Sequence, residues 1–482
     1  MRAPTARAVV FALAGVAAGV TFFQLTRPGL LFGVTPDVSV YLGGATRLVH
    51  GVVPYRDFVF TQPPGFVLLA TPVGLLSNVV GTRNVLALLR MLTPVLAVAT
   101  VVLVGRLLRR RGPLATLAGC TVMALFPAEL YAIRGPQLEP FLILLCLVGA
   151  NLLFESGRDG RGRPLLAGLA FGLAVAIKLT ALLPLLVALG VCARRQSRRR
   201  LPGLCGGASA GALVPMAPFV LLAPGDFVRD TIATQLGRVP AAGRMPLPVR
   251  LGDATGISAF TTSPALTVAL AMILAAAVAV PFALARTATS DLERFAVGGA
   301  LVVGLAQLAP ARYYPHYAAL LAPFLALTLG LALAHLGELR WRRSLTMVAS
   351  VPLLALLVNQ LVYVGSESVP DVAETVDAVI PPGGCALSDS PVDLFTSDRF
   401  QASRTGCTTM TDPQGTSLAL GTAPAAAVAA WRAAFTHADY IVTAAPVGNW
   451  ELPRDAGIPG YVAANFSLVR SHGLLIYVRH DL

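Results

Sequence analysis

Residues 84–111 read NVLALLRMLTPVLAVATVVLVGRLLRRR. An apolar run of about 20 residues, enough to cross ~30 Å of hydrocarbon as a helix, ends in Arg106, Arg109, Arg110 and Arg111. A knot of arginines at the end of such a run marks the cytoplasmic face of a membrane span. Outward from this stretch the same alternation recurs. The chain has 482 residues, 55% hydrophobic and 13% charged, and its mean hydropathy is +0.71. A soluble domain needs about 25% charged residues to cover its surface, so lipid must cover much of this one.

The further basic clusters are Arg158 to Arg163, Arg194 to Arg200, Arg286 with Arg294, and Arg340 to Arg343, with Arg2 and Arg7 at the N-terminus. All are placed in the cytoplasm by the positive-inside rule. The net charge of +13 is therefore a topology signal, and nucleic acid is not an expected partner. Spans are expected near 8–25, 84–106, 114–130, 138–155, 164–177, 179–193, 201–223, 262–285, 295–310, 316–335 and 345–364, about eleven in all. The run at 64–80 has to stay on the outer interface for the Arg106 cluster to return inside, and Pro63, Pro64 and Pro72 suit a re-entrant or interfacial element. The expected fold is an α-helical polytopic membrane protein, residues 1–365, with a first extracytoplasmic loop at 26–83. A small extracytoplasmic α/β domain follows at 366–482. In it Cys385–Ser388, Tyr440–Thr443 and Leu474–Val478 read as strands and 371–379 and 425–435 as helices. The protein is expected in the cell membrane with its N-terminus cytoplasmic.

Cys385 and Cys407 fall in that tail. Outside the cytoplasm they can pair, for roughly 3 kcal/mol in the chain-entropy model; the other reading is two free thiols. Cytoplasmic loops carry no phosphate-binding glycine loop and no zinc spacing. The outer loops do carry chemistry, and ionisable residues at membrane depth are functional by default. Asp37, in Thr35-Pro36-Asp37-Val38-Ser39-Val40-Tyr41, is a candidate base for a hydroxyl proton, or else the cap of a helix starting at Val38. Glu129, Arg134 and Glu139 flank an outer turn, as an ion pair, a site, or both. Lys178 is the only lysine; it either meets a phosphate as a point charge or snorkels to headgroups. Arg312-Tyr313-Tyr314-Pro315-His316-Tyr317 combines a guanidinium and an imidazole with three phenols, where an aromatic belt explains the tyrosines alone. One carboxylate among cations at a lipid–water boundary suits transfer from a lipid-linked phosphate, which departs as a stable anion. Such a reaction needs a base for the incoming hydroxyl and positive charge for the leaving group. A glycosidase would need a second, protonated carboxyl. No nucleotide donor or cofactor is expected, and the absence of an Asp-x-Asp pair in the outer loops predicts no catalytic metal.

The series Asp37, Tyr41, Ala45, Gly51, Pro54-Tyr55-Arg56-Asp57-Phe58 and Pro63-Pro64 resembles the first outer loop of GT-C glycosyltransferases. The protein-mannosyltransferase-like group, with the aminoarabinose transferases and Rgt-type enzymes, is the nearest in pattern. Gly172-Leu173-Ala174-Val175-Ala176-Ile177-Lys178 and the Arg312 to Tyr317 turn are similar to that group's signatures. Val38, Gln62 and Glu139 stand where it often has an acid, a lysine and an aspartate. The resemblance implies inverting transfer of a sugar from a polyprenyl-phosphate donor to a glycan, lipid or protein acceptor outside the cytoplasm. It implies Asp37 as catalytic base. It places Lys178, Arg312, His316, Tyr313, Tyr41, Arg56, Asp57, Glu139 and Arg134 at donor phosphate or substrate. A transporter or lipid flippase is the competing reading; it predicts internal repeats and midplane polar groups, whereas here neither is seen.

Overall fold

A computed structural model describes residues 5–155, 163–238, 244–284, 289–336, 354–362, 372–401, 407, 410–421, 424–453, 456–471 and 473–482. Arg2, most of the Arg158 to Arg163 cluster, Arg286, Arg340 to Arg343 and the first half of the expected 345–364 span lie outside them. The chain divides into two compact units, and neither is a simple sequence block.

The first unit takes in Met1–Pro28, Met91–Pro215 and Val239–Glu367 and is built of apolar helices. Among the described residues five helices are long and apolar enough to cross a membrane: Ala6–Thr26, Thr71–Arg111, Arg198–Leu222, Pro264–Ala283 and Pro315–His335. Pro113–Leu125 with Pro127–Arg134, bent by 47°, makes a sixth if it is one span. Leu138–Phe154, Pro164–Ile177 and Leu179–Ala193 are apolar but shorter, so they meet the expected short spans at 138–155, 164–177 and 179–193 without reaching that length. Proline at the first helical turn opens several of these helices, where no backbone N–H is needed.

Close packing in this unit depends on glycine. A Cβ on Gly168 or Gly172 would lie 2.2 Å from the Leu204 or Ala208 carbonyl oxygen, and one on Gly207 2.0 Å from that of Leu165. Lipid supplies no hydrophobic drive between helices, so backbones gain by touching directly through small residues four apart. At one end of the unit the charges pair. Arg106 meets Glu155 at 2.7 Å, Arg111 meets Glu293 at 2.8 Å, and Ser290 with Glu293 closes a capping box on Asp291–Leu308.

The second unit joins Gly29–Arg90, Met216–Arg238 and Ser368–Leu482. The tail expected to stand alone from 366 therefore folds together with the first loop. Its sheet has the order β1-β2-β4-β3, with β1 Ala386–Ser388, β2 Tyr440–Thr443, β3 Phe466–Ser471 and β4 Leu474–Arg479. β1 and β2 are parallel; β4 runs antiparallel to both its neighbours. Trp431 and Phe435 of Pro424–His437 pack with Leu387, Ile441, Ile458 and Val462 as the core. Cys385 and Cys407 form a disulfide with Cα atoms 5.6 Å apart.

The loop half of this unit explains the union. Pro36–Val49 packs on Pro391–Thr396, and Gly43 lies so close to the Phe400 ring that a Cβ would sit 2.6 Å from it. The expected 64–80 element is two pieces, Gly65–Leu69 and a helix from Thr71 that breaks at Gly81, φ 84°. Past the break, Arg83 N–H donates to Asp398 Oδ1 at 2.8 Å and Thr82 Oγ1 donates to the Phe395 carbonyl at 2.7 Å. The tail thus caps the helix that restarts there. Arg90, fully buried, donates to the Leu30 and Phe32 carbonyls at 2.5 and 2.8 Å.

Candidate active site

The sequence-predicted residues fall in both units. Asp37, Tyr41, Arg56 and Asp57 belong to the loop-and-tail unit; Arg134, Glu139, Lys178, Arg312, Tyr313 and His316 belong to the helical one.

In the loop-and-tail unit, Asp37 sits in the first turn of Pro36–Val49, behind Thr35 at the cap. A carboxylate there is favoured by the helix N-terminus. The Asp37 carboxylate is half-buried, and Tyr41, one turn on, is buried with its ring edge-on to Phe66, centroids 5.9 Å apart. Asp412 comes from the tail to within electrostatic range of Asp37 and Arg238. It is 8% exposed and accepts Gly415 N–H at 2.7 Å and the Thr61 hydroxyl at 3.2 Å. Burial, then the Asp37 charge, raises its pKa, against the pull of Gly415 N–H, Arg238 and Thr61.

A second tie holds the same loop. Phe60 N–H donates to Asp230 Oδ2 at 3.1 Å, and Gln235 Nε2 donates to the Thr61 carbonyl at 2.5 Å. Asp230 lies in a π-helical turn, Arg229–Ala233, and burial pushes its carboxyl up to about 6 although Arg229 lies 2.7 Å away. Sequence reasoning missed Asp230, Asp412 and Arg238. Their only signal is that each is a charged residue next to a turn.

Arg56 and Asp57 pair with each other at a turn of the first loop. Asp57 accepts Val53 N–H at 2.7 Å and pairs with Arg56 at 2.7 Å. That hydrogen bond with Arg56, helped by Val53, holds the Asp57 carboxyl below its ordinary range. Tyr55, φ 69°, donates its hydroxyl to the Gln62 carbonyl at 2.6 Å. The pair closes its own turn while both side chains stay exposed.

In the helical unit three expected residues meet. Lys178 Nζ donates to Glu139 Oε1 at 2.5 Å, His316 Nε2 lies 4.0 Å from the same oxygen, and the Lys178 ammonium sits 4.5 Å from the centre of the Tyr317 ring. Lys178 is 7% exposed and Glu139 2%. The buried lysine therefore does not snorkel to headgroups; its ammonium is held by Glu139 and by the face of Tyr317. The backbone explains its position. Pro164–Ile177 ends at Lys178, which is extended (φ −153°, ψ 131°) and turns the side chain inward. Glu129, on Pro127–Arg134, is fully buried within electrostatic range of Glu139.

The Arg312 turn is built by a residue the sequence did not flag. Arg250, 1% exposed, donates to the carbonyls of Met245, Leu308 and Pro310 at 3.0, 3.2 and 2.5 Å. Its guanidinium also lies 5.2 Å from the Tyr313 ring centre. Burial and the neighbouring Asp253 carboxylate hold the Tyr313 phenol well above its usual range. His316 stacks on Tyr314 with centroids 5.7 Å apart, and Arg312 is half-buried. Among the described residues no group of three or more His, Cys, Asp or Glu could hold a metal ion.

Comparison with known proteins identifies the fold and the family. ArnT from Cupriavidus metallidurans, crystallised with undecaprenyl phosphate, matches over 97% of both chains with TM-score 0.64 and 14% identity. The Archaeoglobus fulgidus oligosaccharyltransferase tethered to an acceptor peptide matches over 90% of this chain and 68% of its own, with TM-score 0.53 and 13% identity. Arabinofuranosyltransferase AftD from Mycobacteria matches 99% of this chain, which spans 40% of that larger protein, with TM-score 0.52 and 14% identity. At these identities the likeness is one of fold, the GT-C membrane fold. No curated protein matches the sequence. The model of Glycosyltransferase family 87 matches residues 60–310, a region that begins after Asp37, ends before Arg312 and holds Arg134, Glu139 and Lys178. With just over half of its length matched by that model, the chain belongs to glycosyltransferase family 87.

Proposed function

We propose that this membrane glycosyltransferase moves a sugar, with inversion, from a polyprenyl-phosphate donor to a hydroxyl of an extracytoplasmic glycan, lipid or protein. The observation that carries the donor class is the full-length likeness to an ArnT whose crystals hold undecaprenyl phosphate. A lipid-linked donor also suits an enzyme whose apolar helices lie in the bilayer. The basic loops support a cytoplasmic N-terminus and an extracytoplasmic tail.

Asp37 is the base. It takes the proton of the acceptor hydroxyl as that oxygen attacks the anomeric carbon from the face opposite the leaving group. The bond from that carbon to the phosphate oxygen breaks, and the lipid phosphate leaves with the electron pair. For the departing phosphate the resemblance assigns Arg312 and His316 of the helical unit as sources of positive charge; Tyr41 supports the helix that carries Asp37, and Tyr313 the turn that carries Arg312. Glu139 and Lys178 set the charge around His316. With proton and phosphate both handled by side chains, neither metal nor cofactor is required.

The test is transfer in proteoliposomes from radiolabelled polyprenyl phosphate mannose or arabinose, wild type against Asp37→Asn. A base contributes about 10²–10⁴ in rate, so the variant should lose at least a hundredfold while melting at the wild-type temperature. A variant at full rate removes Asp37 from the chemistry. Wild type inactive with every donor, yet moving one across the bilayer, would restore the flippase reading.

A further inference from the structure

The helical unit holds a cavity of about 240 Å³. Six of the side chains at its wall matter: Gln24, Tyr131, Arg134, Asp253, Asn359 and Gln360. They come from the end of Ala6–Thr26, from Pro127–Arg134, from Leu247–Thr255 and from the helix at 354–362. Membrane-embedded cavities lined by apolar residues need no further account. This one gathers a carboxylate, a guanidinium, three amides and a phenol ring, the donors and acceptors that a polyhydroxylated ligand uses.

We infer that this cavity binds a single sugar ring, a neutral polyhydroxylated unit of donor or acceptor, by hydrogen bonds to Asp253 and Arg134. Size is the first argument. The volume, below the ~300 Å³ at which drug-sized sites begin, is that of one ring. Chemistry is the second. A carboxylate accepts from neighbouring hydroxyls, a guanidinium donates to them in a fixed fork, and the face of Tyr131 gives a flat apolar surface for ring carbons. The Arg134 guanidinium already stands 5.8 Å from that ring. A phosphate fits poorly, because Asp253 would repel it.

Preorganisation is the third argument. The Asp253 carboxylate lies beside the hydroxyls of Ser258 and Tyr313, and Arg250 braces Tyr313 from its other side. Asn359 Nδ2 donates to the Ala259 carbonyl at 2.9 Å, and Gln24 Nε2 to the Gln360 carbonyl at 3.0 Å. The amides are thus held by their own backbone bonds, which lowers the cost of ordering them around a ligand.

This inference rests on the glycosyl-transfer reading, and its test separates the two. Saturation-transfer NMR on the full chain in detergent would use the methyl glycosides of mannose, glucose, galactose and arabinose as probes. At least one should show contacts that fall tenfold or more in Asp253→Asn and in Asn359→Ala, with melting temperatures unchanged. Loss of the signal once polyprenyl phosphate mannose is bound assigns the cavity to the donor sugar; persistence assigns it to the acceptor. Equal signals in wild type and both variants, or no signal from any probe in protein that transfers sugar, overturns the inference. A signal lost in the variants of a protein that transfers nothing keeps the cavity and discards the reaction.

Discussion

Glu139 and Asp412 are both buried carboxylates, one in each unit, 2% and 8% exposed, yet they are satisfied in opposite ways. Glu139 has a cation in contact, Lys178 at 2.5 Å, and His316 at 4.0 Å. Asp412 is held by neutral donors, the Gly415 N–H and the Thr61 hydroxyl. A helix bundle in lipid has no water near its charges, so an acid there survives by ion pairing. A polar junction of loop and tail can hold its acid with hydrogen bonds and leave its charge state to the surroundings. The comparison separates residues whose charge is structural from residues whose hydrogen bonds are.

The largest effect is expected at Lys178. Lys178→Met leaves Glu139 buried without its cation, which costs about 3–5 kcal/mol. Thermal unfolding in detergent should register that loss. The double variant Lys178→Met with Glu139→Gln removes both charges and should recover most of it, since an ion pair replaced as a pair costs little. A single variant within 1 kcal/mol of wild type would mean that the ammonium has other company and that the two acids do not differ as described.

How far the sequence reached follows the same line. The apolar runs and their arginine knots locate the helices, because period and length are local properties. Lys178, Glu139 and His316 stand out as charges where charge is expensive, and the structure brings them together. Their pairing was not readable: a lone lysine at the turn between two apolar runs looks equally like a phosphate ligand. The glycines of Pro164–Ile177 and Leu201–Leu222 were legible only as composition, although their four-residue spacing is the packing code. Thr61 and Asp412 are 351 positions apart, and no local pattern announces such a contact. For the same reason the first loop was assigned to the membrane domain when it folds with the tail. β3, Phe466–Ser471, was not among the expected strands; it pairs with β4 in a hairpin that passes through Gly473, φ 84°.

A smaller effect sharpens the second half of the comparison through pH. Asp393, in the tail, has its carboxyl pushed up to about 7 from an ordinary 3.8, by burial first and by the Asp389 charge second. A folded pKa above the unfolded one means that the folded state holds the proton more tightly. The ionisation penalty is absent below about pH 4, grows between 4 and 7, and is complete above 7. Asp393→Asn should therefore stabilise the tail by ~1–3 kcal/mol above pH 7 and change nothing near pH 4. The fluorescence of Trp431 and Trp450 during unfolding reads this directly. A gain equal at both pH values would trace to packing rather than to charge.

The smallest effect is the most discriminating. Asp412→Asn keeps an oxygen for Gly415 N–H and one polar atom beside Thr61, and asparagine is as good a helix cap as aspartate. Only the charge disappears. Because burial already raises this carboxyl, its removal should cost less than about 1 kcal/mol at pH 7 and give a slight gain as pH rises. Asp412→Leu, which leaves the Gly415 N–H and the Thr61 hydroxyl unpaired, should cost about 2–3 kcal/mol. Loss of several kcal/mol in the asparagine variant would show that Arg238 serves Asp412 as Lys178 serves Glu139, and the two carboxylates would then be held by one rule.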